Sequence, residues 1–260
     1  MAALRLIVTR PREQAGPLVE ALRALGVQAE ALPLIEIEPV PDEGPLRAAW
    51  QWLGRRTLVM FVSANAVAHF FAARPPGTGW PAGTLAGSTG RGTSAALRAQ
   101  GVPEGAIVEP GPGMAQESES LWAALQGVDW PGRRALIVRG EEGRDWLAEH
   151  LRAAGAEVEF LAAYRRRPPR LDAPGQALLR AALGSPHAHA WLFSSSEAVR
   201  HLAGPDGLLP RADWSAATAL ATHPRIAEAA ARAGFGRVIE AAPTPAAVAE
   251  TLARLQSAAP

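Results

Sequence analysis

The sequence predicts an α/β protein: a doubly wound parallel sheet, present in two copies. Three observations predict it. Short apolar runs alternate with stretches of roughly 10–15 residues patterned as helices, the rhythm of strand–helix–strand units. The most apolar runs, such as Leu58-Val59-Met60-Phe61 and Ala135-Leu136-Ile137-Val138, carry no polar alternation, as expected of strands buried on both faces. Finally, the pattern repeats at an offset of about 130 residues along a chain of 260.

Taken in order, Leu4 to Val8 reads as a strand and Gln14 to Leu25 as a helix closed by Gly26, where a left-handed residue is usually needed. Val27 to Val40 reads as a long extended segment ending among Pro39 and Pro41. A short helix near Leu46 to Leu53, a strand Leu58 to Val62 and a helix Asn65 to Ala73 follow. Beyond the Arg74-Pro75-Pro76-Gly77 loop come a strand Thr84 to Ala86, a helix Gly92 to Gln100, a strand Ala106 to Val108 and a helix Glu117 to Leu125. The clearest unit is Arg134 to Pro168. Its apolar run Ala135 to Val138 turns at Arg139-Gly140, and Trp146, Leu147, His150, Leu151 and Ala154 recur at helical spacing. Gly155 ends that helix, Val158, Phe160 and Ala162 alternate as a strand, and Tyr164 leads into Arg165-Arg166-Arg167-Pro168-Pro169. The second copy runs on to a helix near Pro245 to Leu255.

The duplication is visible segment by segment. Leu6-Ile7-Val8 matches Leu136-Ile137-Val138, and Leu25-Gly26 matches Ala154-Gly155. Phe61-Val62-Ser63-Ala64-Asn65-Ala66-Val67 pairs with Phe193-Ser194-Ser195-Ser196-Glu197-Ala198-Val199. Thr93 to Gly101 pairs with Ile226 to Gly234, and Glu119 to Leu125 with Ala247 to Leu255. Two packings satisfy this pattern. Each repeat could fold by itself, with a boundary near Val128 to Pro131. Alternatively the proline-bearing stretches Ile35 to Pro45 and Ala163 to Pro174 could be paired crossovers between domains.

Composition narrows the chemistry. The length suits two domains, each able to bury a core. Hydrophobic content of 48% with 20% charged residues describes a globular chain. No apolar run reaches the roughly 18 residues of a membrane helix, and the N-terminus lacks a secretory pattern. Zero cysteines exclude disulfides and thiolate chemistry and make a cytoplasmic address the default. All 26 basic residues are arginine, so a Schiff base or a Walker-A lysine is impossible. Acidic residues interleave with the arginines, which argues against a nucleic-acid stripe. No G-x-G-x-x-G follows the first strand of either repeat. His187 and His189 alternate onto one strand face, but two histidines without a third ligand make a poor metal site.

VTRPREQAGPL, FVSANAV, GRGTSAAL, LIVRGEEGRDWLAEHLRAAG, the tyrosine in AAYRRRP and FSSSEAV together resemble the uroporphyrinogen-III synthases, in the same order over nearly the whole chain. The resemblance implies two flavodoxin-like parallel-sheet domains joined by a two-stranded crossover. One would combine residues 1–37 with 172–260, the other would span 40–165. It implies ring closure of the linear tetrapyrrole hydroxymethylbilane without a cofactor, with inversion of the last pyrrole ring and loss of water. A monomer, with neither a nucleic-acid nor a membrane partner, is what the family leads one to expect.

Such a substrate is a polycarboxylate, and helix N-termini at the carboxyl ends of parallel strands bind anions through free N–H groups. Ser63 and Asn65, Thr89 to Thr93, and Ser194 to Ser196 all stand where a strand gives way to a helix. Each also reads as an ordinary N-cap. By resemblance Ser63, Thr93 and Ser194 line the site, with Asn65, Ser195 and Thr222 beside them. Arg10 and Arg139 hold the same place after the first strand of each repeat. Both suit bidentate carboxylate binding, or a surface pair with Glu13 or Glu141. Arg165, Arg166, Arg167 and Arg170 read as a solvated linker face that adds positive potential. Tyr164, the one tyrosine in the chain, matches the residue credited in the family with protonating the departing hydroxide. A phenol keeps its proton at neutral pH and can give it up in such a step. The chain departs from the family at Thr222-His223-Pro224-Arg225-Ile226-Ala227, where His223 replaces a glycine and Ile226 a threonine. That leaves Thr222, His223 or Arg225 to bind a carboxylate there, or none of them. A sensor of the same fold that has lost catalysis is the alternative reading.

Overall fold

The computed structural model describes residues 4–111 and 118–257. In chain order its strands and helices are β1 (Arg5–Val8), α1 (Arg12–Ala24), β2 (Ala29–Ala31), β3 (Glu36–Pro39), α2 (Gly44–Trp52), β4 (Leu58–Phe61) and α3 (Ala64–Ala72). There follow β5 (Leu85–Ser88), α4 (Arg91–Ala99), β6 (Ile107–Val108), α5 (Ser118–Ala124), β7 (Arg134–Gly140), α6 (Trp146–Ala153) and β8 (Glu157–Arg167). The chain closes with α7 (Ala173–Gly184), β9 (His189–Phe193), α8 (Ser196–Ala203), β10 (Thr218–Ala221), α9 (Pro224–Arg232), β11 (Arg237–Glu240) and α10 (Pro245–Ser257). No described helix is long and apolar enough to cross a membrane.

The chain divides into two compact units. The first comprises Met1–Glu36 with Arg167–Pro260, the second Ile37–Arg166. The first holds a five-stranded sheet ordered β2-β1-β9-β10-β11, parallel at every pair. The second holds the parallel order β8-β7-β4-β5-β6, with β3 added beside β8. Mapped through the duplication, β7, β8, β4, β5 and β6 correspond to β1, β2, β9, β10 and β11. Both sheets therefore follow the doubly wound 2-1-3-4-5 order, in which the crevice for a ligand opens at the carboxyl ends between strands 1 and 3. That point lies between β1 and β9 in the first unit and between β7 and β4 in the second.

Several sequence expectations are corrected. The extended segment from Val27 is two short strands belonging to different sheets, β2 and β3. Arg139-Gly140 does not turn the chain but completes β7, and β8 continues through Tyr164 to Arg167. His187 lies in a 3-10 turn and only His189 is on the strand, buried with Nδ1 bonded to the Ser185 carbonyl. They share no strand face. The helix start expected at Glu117 lies outside the described residues.

The letter match of Leu6-Ile7-Val8 with Leu136-Ile137-Val138 is out of step by one. Leu6 and Val8 share a core with α1 and α10, together with Ala190 and Leu192. The equivalent core against α5 and α6 is built from Ala135 and Ile137 with Leu58 and Met60. Leu136 and Val138 face the opposite side. Since a one-residue slip exchanges the faces of a strand, the true equivalents are Leu6 with Ala135 and Val8 with Ile137. Arg10 then falls on Arg139, as expected, and Ser63 falls on Ser195.

Packing rather than propensity holds the helix that matters most. Nine-residue α3 is too short to be stable alone. Its Phe70 stacks on Trp50 at 4.7 Å and meets Phe61 edge-on at 5.4 Å, while Phe71 stacks on Trp80 at 6.0 Å. A buried aromatic ring removes roughly 150–250 Å² from water, about 4–6 kcal/mol at ~25 cal/mol per Å². Helix propensities differ by well under 1 kcal/mol. The Trp50 indole N–H also donates to the Phe70 carbonyl at 3.0 Å, anchoring the C-terminal turn of α3. Gly26 and Gly155 close α1 and α6 at φ +80° and +94°, as their sequence positions predict.

β8 is tied to the turn before β4 by Arg56, whose two guanidinium nitrogens each donate to Glu159 at 2.8 Å. This bidentate bond is the main reason the Glu159 carboxyl is held below the usual carboxylate range. A carboxyl with a lowered folded pKa stabilises the protein above its unfolded value and loses that contribution as the pH falls. The stability difference between wild type and Glu159→Gln is therefore expected to be constant above about pH 6 and to be lost in acid, as the pH falls below the ordinary glutamate value and through the lowered folded one. Because Glu159 is more than half exposed, it amounts to at most about 1 kcal/mol. Urea titrations across pH check this; a difference that grows in acid contradicts it.

Candidate functional site

Both switch points carry polar side chains, and the two have diverged. In the second unit, β4 ends at Phe61 and Ser63 opens α3. Ser63 adopts the extended backbone of an N-cap, and its Oγ accepts from the Ala66 N–H at 3.1 Å. The same Oγ lies 3.1 Å from Tyr164 Oη. Tyr164 is 1% exposed, and its oxygen also accepts from Arg166 Nη2 at 3.4 Å. The His69 ring, one turn along α3 from Asn65, stacks 5.9 Å from the phenol ring. Asn65 is buried in the first turn of α3, and Thr93 is buried in the first turn of α4.

The hydroxyl pair has two useful states. If Ser63 donates to Tyr164, the phenol proton is free to leave, and the phenol oxygen is supported by Ser63 and the Arg166 cation. If Tyr164 donates to Ser63, the serine proton is the one available. Either way a proton can be released at the carboxyl edge of the sheet, and the charge left behind lies beside a guanidinium.

In the first unit the equivalent position carries a cation. Arg10 follows β1, and its Nε donates to Ser194 Oγ at 2.9 Å across the β1–β9 switch point. Among the described residues no carboxylate pairs with Arg10. Burial lowers the pKa of its guanidinium from the ordinary value, though arginine remains charged. Ser195 caps α8, accepting from the Glu197 N–H at 3.1 Å. Next to it a cavity of about 350 Å³ is lined by Ser194, Ser195, Ser196, Thr222, His223 and Arg225, with the side chain of Ile226. His223 caps α9, its Nδ1 accepting from the Arg225 N–H at 3.1 Å. The proton of the neutral ring is therefore on Nε2. The departure from the family pattern thus puts a side-chain cap where a glycine has none, and changes the lining.

Arg139 behaves differently from its equivalent Arg10. It pairs with Asp145 and lies 3.9 Å over the Phe160 ring. The ion pair expected for it thus forms with a residue farther along the chain than Glu141, and Arg139 is committed within its own unit. The geometry brings Ser63 and Tyr164 together in one unit and Arg10, Ser194, Ser195 and Thr222 in the other, while Arg139 is paired with Asp145.

Sequence reasoning missed Arg166 and His69 as neighbours of the phenol. Arg166 was discoverable, since it stands two residues beyond Tyr164 on one strand and so on the same face. His69 reaches the phenol only through the docking of α3, which leaves no local trace in the sequence.

A family model described as uroporphyrinogen-III synthase HemD matches residues 16–250. A uroporphyrinogen-III synthase of Salmonella typhimurium is 34% identical over 176 residues, covering 67% of this chain and 70% of that protein. One from Synechococcus elongatus is 29% identical over 223 residues, covering 81% and 78%. Among solved structures, a mutant uroporphyrinogen III synthase from the extremely thermophilic bacterium Thermus thermophilus superposes with a TM-score of 0.61 at 22% identity, covering 98% of this chain and all of that one. The enzyme of Helicobacter pylori gives 0.61 at 14% identity, covering 97% and 99%. These structures speak to the fold: two sheets, parallel in the main, in two units. With the sequence matches, they establish that the chain belongs to the uroporphyrinogen-III synthase family.

Proposed function

We propose that the protein closes hydroxymethylbilane to uroporphyrinogen III, and that Tyr164 supplies the proton taken by the departing hydroxide. The observation that carries this reading is the Ser63–Tyr164 hydroxyl pair, 3.1 Å apart at the β7–β4 switch point. The terminal pyrrole of the substrate is electron-rich and expels hydroxide readily once a proton is offered, leaving an azafulvene. Tyr164 gives that proton, directly or through Ser63, and water leaves. The substituted α-carbon of the last pyrrole attacks the azafulvene carbon and gives a spiro intermediate. The bond from that α-carbon to its old methylene bridge then breaks, and the ring's free α-carbon attacks the second azafulvene so released, which leaves the ring inverted. The proton lost from that attacking carbon returns to the phenolate, so the enzyme ends as it began. Arg166 at 3.4 Å and the Ser63 hydroxyl steady the phenolate between the two transfers.

The acetate and propionate groups need cationic and N–H partners. Arg10, Ser194, Ser195 and Thr222 offer these in the first unit, and the first turns of α3 and α4, with Asn65 and Thr93, offer N–H groups in the second. Arg139 is left out of this set, because Asp145 already neutralises it. The protein acts as a monomer in this reading, which a sedimenting species of 27.3 kDa checks.

Incubation with enzymatically generated hydroxymethylbilane, followed by isomer analysis of the oxidised porphyrins, tests the function. Predominant type III porphyrin is expected. Type I alone would mean uncatalysed closure and would leave a sensor of the same fold.

A further inference from the structure

The pairing of β7 with β8 slips at its end. Arg139 stands opposite Ala162, but Gly140 stands opposite Tyr164. Ala163 is the extra residue of a β-bulge, a device common beside active sites because it re-aims a side chain. Here its effect can be read from which core each residue joins. Val158 and Phe160 pack on the side of α5 and α6, whereas Leu161 and Ala163 join the core that contains Phe61 and Phe70. Strict alternation would send Tyr164 with Val158 and Phe160. Instead it joins Leu161 and Ala163, on the side from which its hydroxyl reaches Ser63.

Gly140 completes this arrangement. Its φ is not among the positive values, so backbone freedom does not explain a glycine there. Space does: a Cβ on Gly140 would lie 3.1 Å from Tyr164 Cε2 and 3.2 Å from Cζ. The two backbones are fixed to each other by the bond from the Glu141 N–H to the Tyr164 carbonyl at 3.1 Å, so the ring is the part that must give way.

We propose that Gly140 is a positioning residue. Its bare Cα is the seat of the phenol ring, and the seat and the bulge together set Tyr164 Oη against Ser63. This rests on the role proposed for Tyr164. Gly140→Ala is expected to lower kcat about three- to tenfold, since displacement by about 1 Å costs roughly 10²-fold and the added methyl demands a few tenths of that. KM should stay within about twofold and the unfolding midpoint should hold, alanine being no worse than glycine in a strand. Gly140→Ala with Tyr164→Phe should be no slower than Tyr164→Phe alone, because a ring without its hydroxyl has nothing to misplace. A purely structural glycine would give additive losses and a lowered midpoint.

Wild-type kcat in Gly140→Ala, or additive losses in the double variant, overturns the proposal. Should wild type make no type III porphyrin, it is the function that fails, an outcome distinct from either. If Gly140→Ala does not fold, the wild-type ring decides. Because the chain has one tyrosine, its ring resonances are unambiguous. A seat this close predicts slow ring flipping with separate signals for the two edges; a freely flipping ring overturns the seat.

Discussion

Tyr164→Phe lowers the rate of type III formation by about 10²–10⁴-fold, the usual range for a lost general acid. The low end corresponds to a substrate that closes unaided and to Ser63 continuing to offer a proton from the same place. The fold should survive. The ring keeps its seat on Gly140 and its place among Phe61 and Phe70, and Ser63 Oγ keeps its bond from the Ala66 N–H. Loss of the hydrogen bonds to Ser63 and from Arg166 costs on the order of 1–3 kcal/mol, so a modest drop in the unfolding midpoint accompanies the large drop in rate. Product identity separates acid from template. A slow variant still makes type III, diluted by type I from closure in solution. Single-turnover assays with isomer analysis measure both quantities, and a variant with wild-type rate would remove the phenol from the mechanism.

Arg10→Met has the second-largest expected effect, and it acts on binding. Methionine approximates the apolar stem while deleting a charge that pairs with no carboxylate among the described residues. A hydrogen bond to a charged group is worth about 1.5–3 kcal/mol, so KM should rise roughly 10- to 100-fold with kcat little changed. Stability should not fall, and a rise is the more telling result. A half-buried guanidinium bonded to a single hydroxyl at 2.9 Å has given up water for little return. Weaker binding together with equal or greater stability identifies a charge kept for its ligand. An unchanged KM would make Arg10 a structural residue of the β1–β9 crevice.

Much of this is legible in the sequence, for physical reasons that also explain the gaps. The parallel, doubly wound class of both sheets follows from the duplication together with the strand–helix alternation, which leaves two packings open. The caps at Ser63 and Ser195 follow from residue type and place. The register between the copies misleads at Leu6-Ile7-Val8 because strands buried on both faces are apolar throughout. Such runs match equally well one step out, and only the helices packed on each side fix the parity. The bulge at Ala163 is invisible for a related reason, since one small residue more or less leaves Ala162-Ala163 looking like any strand. Arg139 looks as free as Arg10 in sequence. Its partner Asp145 lies six residues on, beyond the glycine-bearing loop, where spacing says little about contact.

The way the chain is threaded also orders its synthesis. The second unit is one continuous run, Ile37–Arg166, whereas the first is assembled from both ends of the chain. Thr9 donates its hydroxyl to the carbonyl of Leu192, 183 residues later, and β1 has no partner on that side until β9 exists. As the chain leaves the ribosome, the interior unit can complete its sheet while β1, α1 and β2 wait with their apolar faces uncovered. Long-range pairing of this kind is slow and exposes surfaces that aggregate. Nascent chains ending at Arg167 should accordingly show 37–166 resistant to protease and the first 36 residues cut. Protection of both segments at that length would mean that the N-terminal strand finds another shelter before its partner arrives.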